Sequence, residues 1–389
     1  MKAKFLTIAF VVGLLCGAPQ MFAQQYNEEY LDSLIKAKTQ AQAASGSKFI
    51  LTGYATTGIQ FTKEESSFGA NFSPIFLWKP DKRVFIEAEL ETELEGEETM
   101  INLEYIDASF FINKYVTLRA GKFLSPFGIF QDRLHPGWIN KLPSVPLGFN
   151  HDQNPVGATS EIGFDLRGND IPLGTAKFNY SLYVSNGPTL NTGDENPEEA
   201  GVLHYASAED NNKNKAFGGR IGLLPFSNSS VEIGGSFQTA KVGDKGNEYE
   251  KVGAQLYALD LTYVNQLDFL KGNLDVKAQW NWINVDKANY IDPQDSTGNT
   301  FYSYDNKRSA AFAQAAYRPN MSQSKFLKKT ELVFRYSGLN PPVGSMASEK
   351  IKQYTYGINY WYTWRTVLKL AYQSQKDNNA FFIQVAVGF

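Results

Sequence analysis

Leu274-Asp-Val-Lys-Ala-Gln-Trp-Asn-Trp-Ile-Asn284 decides the fold. Leu274, Val276, Ala278, Trp280 and Trp282 alternate with Asp275, Lys277, Gln279, Asn281 and Ile283. Successive side chains of an extended strand point to opposite faces, so this stretch is a strand with one apolar and one mostly polar face. The pattern returns where Phe178, Tyr180, Leu182 and Val184 alternate with Lys177, Asn179, Ser181 and Tyr183, and again where Tyr354, Tyr356, Ile358, Tyr360 and Tyr362 alternate with Gln353, Thr355, Gly357, Asn359 and Trp361. The chain reads as all-β.

Working outward, period two holds from Lys48 to Phe389. It predicts strands at 48–61, 68–78, 84–95, 99–112, 115–124, 157–167, 175–186, 215–224, 229–241, 252–264, 272–286, 309–318, 329–337, 351–362, 366–376 and 380–389. A soluble sandwich and a membrane barrel both bury one face of each strand, so alternation alone does not separate them. The connections do. Tight ones (79–83, 113–114, 168–174, 363–365) alternate with long ones (125–156, 187–214, 287–308, 338–350), as short periplasmic turns alternate with outer loops in a transmembrane barrel. Trp78, Trp361, Tyr362 and Trp364 fall beside turns, where an aromatic girdle would sit. The last strand has Phe381, Ile383, Val385, Val387 and Phe389 on one face, which resembles the terminal assembly signal that barrel-insertion machinery reads. The expected architecture is a transmembrane antiparallel β-barrel of about sixteen strands, in the outer membrane of a Gram-negative bacterium.

The first residues agree with export. Lys2 and Lys4 precede an apolar run from Phe5 to Leu15, with small or polar residues up to Gln24. That is a secretory signal over 1–24, too short to span about 30 Å of hydrocarbon as a helix. Residues 25–47 place Tyr30, Leu31, Leu34 and Ile35 at helical spacing before an Ala/Gln/Ser stretch, either a periplasmic helix and linker or a disordered leader. The barrel is expected over 48–389. Cys16, the one cysteine, lies inside the signal, and the bulky Leu15 before it argues against lipidation. Without thiols the mature chain has no disulfide, and a closed ladder needs none.

With Lys2 and Lys4 removed from 37 basic residues against 40 acidic, the mature chain carries five more acids than bases. That mild imbalance and the absence of a long basic run give nucleic-acid binding no support. The 28 Phe, 21 Tyr and 32 Gly stand beside a negative mean hydropathy, a composition suited to a barrel with a wet interior.

After the fifth predicted strand the chain reads Arg119-Ala-Gly-Lys-Phe-Leu-Ser-Pro-Phe-Gly128, followed by Arg133, His135, Pro136 and Trp138 and preceded by Glu104-Tyr-Ile-Asp-Ala108. This string resembles the phosphate-selective porin O and P family. The resemblance implies a sixteen-stranded trimer whose third outer loop, here residues 125–156, folds into the lumen as a constriction. Family members selective for anions carry basic ladders; the bases here (Arg119, Lys122, Arg167, Lys177, Arg220, Lys277, Arg335, Lys369) are scattered over many strands. The third strand instead presents Glu87, Glu89, Glu91, Glu93 and Glu95 at period two. Facing lipid, so many carboxylates would be prohibitive, so they are expected to line the lumen opposite bases such as Arg119. The expected pore-lining and constriction set is Glu87, Glu89, Glu91, Arg119, Lys122, Arg133, His135, Arg167, Lys277 and Arg335, with Phe389 as assembly signal.

Enzyme chemistry finds no residues to carry it. The three histidines, His135, His151 and His204, sit in predicted loops with no esterase motif around them, and no metal-ligand spacing or cofactor motif is present. The expected function is passive diffusion of small hydrophilic solutes or ions through a water-filled barrel in outer-membrane lipid. The alternative is a plugged structural or partner-binding barrel without conductance.

Overall fold

The alternation becomes sixteen antiparallel strands closed into one barrel. In the computed structural model, residues 48–389 are described except 96–97, 151–153, 195, 206–207, 293–299 and 347–348. The expected signal (1–24) and helix and linker (25–47) lie outside the described residues. In chain order the strands are β1 (Lys48–Phe61), β2 (Ser66–Asp81), β3 (Val84–Glu95), β4 (Glu98–Asn113), β5 (Val116–Leu124), β6 (Ser160–Leu173), β7 (Ala176–Ser185) and β8 (Ala216–Leu224). Then follow β9 (Val231–Lys241), β10 (Gly253–Leu267), β11 (Gly272–Val285), β12 (Lys307–Arg318), β13 (Thr330–Asn340), β14 (Ile351–Trp361), β15 (Thr366–Gln375) and β16 (Ala380–Gly388). Each pairs with its neighbour in sequence, and β1 pairs with β16 from Tyr54↔Gly388 to Phe61↔Phe381. All sixteen predicted strands are found.

Closure satisfies the backbone of every strand without an exposed edge. At the seam the Phe389 amide donates to Gly53 O at 2.9 Å, and the Phe389 ring stacks on Phe72 at 5.6 Å. Gly53 has φ +151°, and a Cβ there would lie 2.2 Å from the Ser73 carbonyl, so only glycine allows this approach of β1 to β2.

The two faces are inverted relative to a water-soluble protein. Trp280, Leu259, Ile358 and Phe334 point outward and are exposed, whereas Gln279, Asp260, Asn359 and Thr355, on the opposite face of the same or neighbouring strands, are buried inside. Burial of polar groups is tolerated only with partners or water, and an exposed apolar band is stable only against hydrocarbon. Strands of 9 to 16 residues are long enough to cross the bilayer with tilt.

The structure corrects two local expectations. Residues 168–174 are not a connection: β6 runs to Leu173 through a bulge between Gly168 and Ile171, with Asp170 left-handed (φ 52°), leaving a turn of two residues. Trp361 is not an outward girdle residue. It lies opposite Val367, which is fully buried, and its Nε1–H donates to Glu331 Oε2 at 3.3 Å. Strand parity puts it on the face of Gln353, Thr355 and Asn359. Trp78, Tyr362 and Trp364 do stand exposed beside turns.

Candidate functional site

Residues 125–159 join β5 to β6, yet their contacts fall on strands round much of the barrel. The segment opens with Pro126 and contains a short helix, α1 (Phe130–Leu134). Gln279 of β11 accepts hydrogen bonds from the amides of Ile129 (2.7 Å) and Phe130 (2.9 Å), the kind of helix-start donors that otherwise lack partners. Ser236 Oγ of β9 accepts from Gly128 N at 3.0 Å, and Asn281 Nδ2 of β11 donates to Val156 O at 2.6 Å. Further along, Arg335 of β13 donates to Ser144 O at 2.8 Å. Asn359 of β14 donates to Lys141 O at 2.9 Å, and the buried Lys369 of β15 donates to Gly137 O and Asn140 O at 2.5 and 2.7 Å. The rings of Phe130, Phe149 and Phe312 meet edge to face at 5.0 to 5.9 Å. The segment is thus fastened to β9, β11, β12, β13, β14 and β15.

Ion pairs continue the fastening. Arg133 pairs with Glu232 (2.7 Å), Lys141 with Glu331 (2.6 Å), and Arg167 with Asp132 (3.3 Å). Burial opposes ionisation of Asp132, but the positive charges of Arg167, Arg119 and Arg133 prevail and hold its carboxyl below the usual aspartate value. Other bases are matched on the wall itself: Arg119 with Asp165 at 2.8 Å, and Arg220 with both Asp260 (2.6 Å) and Glu232 (2.9 Å).

The wall across the clefts from the loop carries the glutamates. Glu87, Glu89, Glu91 and Glu93 lie on one face of β3, and Asp107 of β4 stands directly opposite Glu87. Tyr54 of β1 donates to Glu89 at 2.8 Å, and Asn71 of β2 donates to Glu91 (2.9 Å) and Glu93 (3.2 Å). Between this wall and the loop is a cleft of about 270 Å³, lined by Glu91, Glu93, His135, Pro143 and Phe149 among others. It adjoins a second cleft of about 650 Å³ that shares Thr56, Asn71, Glu93, Pro143, Asn150 and Gln384.

The expected site residues are therefore divided. Glu91 and His135 meet at the cleft, joined by Glu93. Glu87 borders neither cleft, and Glu89 is almost fully buried beneath Tyr54. Arg133 and Lys277 line a separate cavity of about 420 Å³ with Lys141 and Asp275, and Arg167 lines a small one with Asp132. Arg119 is buried against Asp165 and over the Phe123 ring at 4.4 Å, and its positive charge also acts on Glu87 and on Asp107 opposite it. Arg335 is buried under the loop at Ser144. Lys122 is a correction: it pairs in register with Ile106 and Ile162, on the face opposite Arg119, because residues three apart on a strand cannot share a face. Its Nζ donates to Leu103 O at 2.6 Å, on the neighbouring strand, and it borders a cavity of about 420 Å³ with Glu104, Asn154 and His204, apart from the two clefts.

Several residues escaped the sequence reading. Glu104 and Asp107 of β4 are buried acids whose three-residue spacing hides them from a period-two search; the cause is a register shift at Glu89/Leu90 that reverses the parity of β4. The apolar positions Ile101 and Leu103 followed by Ile106 and Phe110 do record that reversal. Glu232, Asp260 and Lys141 carry no local signal, since their partners are far away in sequence.

With the geometry in place, comparison with known proteins is informative about the fold. No protein-family model and no curated protein sequence matches the chain. Solved structures do. Salmonella typhi OmpF in complex with daunomycin is similar over 89% of this chain and 99% of its own, with TM-score 0.56 and 11% identity. The outer-membrane channel DcaP of Acinetobacter baumannii is similar over 89% and 98% (TM-score 0.55, 13% identity), and Vibrio cholerae OmpT in its trimer form over 88% and 99% (TM-score 0.54, 11% identity). At these identities the likeness is one of fold, a closed antiparallel barrel shared with outer-membrane proteins.

Proposed function

We propose that this chain is an outer-membrane porin-type channel for small hydrophilic solutes, with a preference for cations. The observation that carries the reading is the pair of adjoining clefts between the Glu91–Glu93 wall and the loop. The loop is fastened to β9 and β11–β15; its Gly137 and Trp138 also pack against Thr56 of β1 and Gly388 of β16, and the clefts remain between it and the β1–β3 wall. On this reading residues 125–159 lie within the lumen and form its constriction. The fold likeness to OmpF and DcaP supports the same assignment, and the trimer form of Vibrio cholerae OmpT supports trimeric assembly as part of the proposal.

The charge preference follows from which groups border the clefts. Arg119, Arg220, Arg167, Arg133 and Lys141 each have a carboxylate partner, so their fields are largely cancelled close by. Glu91 and Glu93 border the clefts themselves and accept hydrogen bonds from the amide of Asn71, which orients both carboxylates along the cleft wall. Rings or rows of carboxylates along a narrow path raise the local cation concentration. Selectivity for phosphate, the property of the family the motif resembles, is not part of this proposal.

One feature favours a second reading. Phe127, Phe130, Phe149, Phe312, Tyr290 and Tyr304 belong to an apolar cluster that fills the long-loop end over β8–β12, as a plug would. A plugged barrel carries no current at all.

The selectivity test is the reversal potential of purified protein in a salt gradient across a planar bilayer. Glu91→Gln with Glu93→Gln is expected to move it toward anions. An unmoved potential, with current intact, overturns the assignment of the passage to this wall.

A further inference from the structure

The two ends of the barrel carry opposite charge. The connections at the short-turn end (82–83, 114–115, 174–175, 225–230, 268–271, 319–329 and 362–365) contain eight Lys and Arg residues against one acid, Asp268. The connections at the other end contain twenty acids against ten bases. Among the described residues, none of the eight bases forms an ion pair with a carboxylate.

Aromatic rings back the basic end. Among the described residues, cation–aromatic pairs on this rim are Arg365 over Trp364 (4.2 Å), Lys114 over Tyr115 (4.5 Å), Lys329 over Tyr362 (5.6 Å) and Lys79 over Phe111 (5.9 Å). Trp364, Tyr362, Phe326 and Phe269 are among the most exposed large side chains of the molecule. The connection from β12 to β13 adds a short helix, α2 (Lys325–Lys329), whose Phe326 stacks on Tyr360 at 5.4 Å while Lys325 and Lys328 stand exposed beside it. An aromatic ring with a cation at its edge matches the boundary between acyl chains and headgroups, where the ring is half dry and the charge meets phosphate.

We propose that this rim is a binding surface for anionic phospholipid headgroups of the leaflet on the short-turn side. The proposal rests on the membrane-barrel reading. Its bases are spread over five of the seven short-turn connections, β2–β3, β4–β5, β10–β11, β12–β13 and β14–β15, which fits a lipid ring better than a single protein partner docked at one side. Basic residues at a bilayer surface attract anionic lipid, each contributing separately, and salt screens the attraction.

The test inserts the full chain into phosphatidylcholine vesicles and compares how strongly spin-labelled phosphatidylglycerol and spin-labelled phosphatidylcholine associate with it. The wild type is expected to prefer phosphatidylglycerol several-fold. The preference should fall in a variant with Lys325→Gln, Lys328→Gln, Lys329→Gln and Arg365→Gln, and in high salt, but not with Lys213→Gln and Lys215→Gln at the opposite end. Equal association of both lipids with the inserted wild type, or a preference that the turn-end variant leaves intact, overturns the proposal. Failure to insert, seen as the absence of a heat-modifiable band, instead overturns the membrane reading beneath it. The barrel of the variant is checked by the same band, so loss of preference is read only on folded protein.

Discussion

Gln279 is a single side chain that holds two backbone amides 150 and 149 residues away in sequence. It alternates between Ala278 and Trp280 and was readable as a polar inward residue, but nothing local says what it binds. Replacing it with Leu leaves the amides of Ile129 and Phe130 buried without acceptors, at about 1–3 kcal/mol for each. Gln279→Leu is therefore expected to loosen the start of the loop while leaving the barrel intact. Faster proteolysis within 125–159 at an unchanged heat-modifiable band would bear this out; unchanged cleavage would show that the loop is held elsewhere. Lys122 teaches the opposite lesson. Its spacing of three from Arg119 already excluded a shared strand face, so its outward position was legible. The buried pairs Arg119–Asp165 and Lys141–Glu331 were not, because each joins groups that meet only when distant strands close into a ring.

Among the elements, strands were the legible part and their irregularities were not. Period two identified all sixteen because each crossing must keep one face apolar over its whole length, whereas the bulges in β4 and β6 interrupt the period for one residue and were read as connections or missed. The loop element α1 carries a charge tether, the Arg167–Asp132 pair, and that tether gives its docking a pH dependence. The Asp132 carboxyl lies below its ordinary value in the folded chain. Its contribution to docking is therefore complete above the usual aspartate range, about pH 4, and is lost as pH falls through the lowered value. Pepsin cleavage within 125–159 should accordingly be slower in the wild type than in Asp132→Asn near and above pH 4, with the two converging in stronger acid. Equal cleavage of both proteins at every pH would contradict the tether.

At the scale of the molecule, three distributions coincide. Apolar side chains face outward over the crossing strands, polar and charged ones face inward, and the two rims differ in charge. The first two follow from alternation plus closure and were foreseeable from composition. The place of the clefts was not, since it depends on where one loop is fastened. Sixteen strands with a loop fastened along part of the wall can be a narrowed channel or a plugged barrel. The passage proposed above runs through the clefts beside Glu91 and Glu93. The most direct test is the current through single molecules of the purified full chain in a planar bilayer. The account predicts discrete, reproducible conductance steps; a folded, heat-modifiable barrel that inserts and passes no current would contradict it.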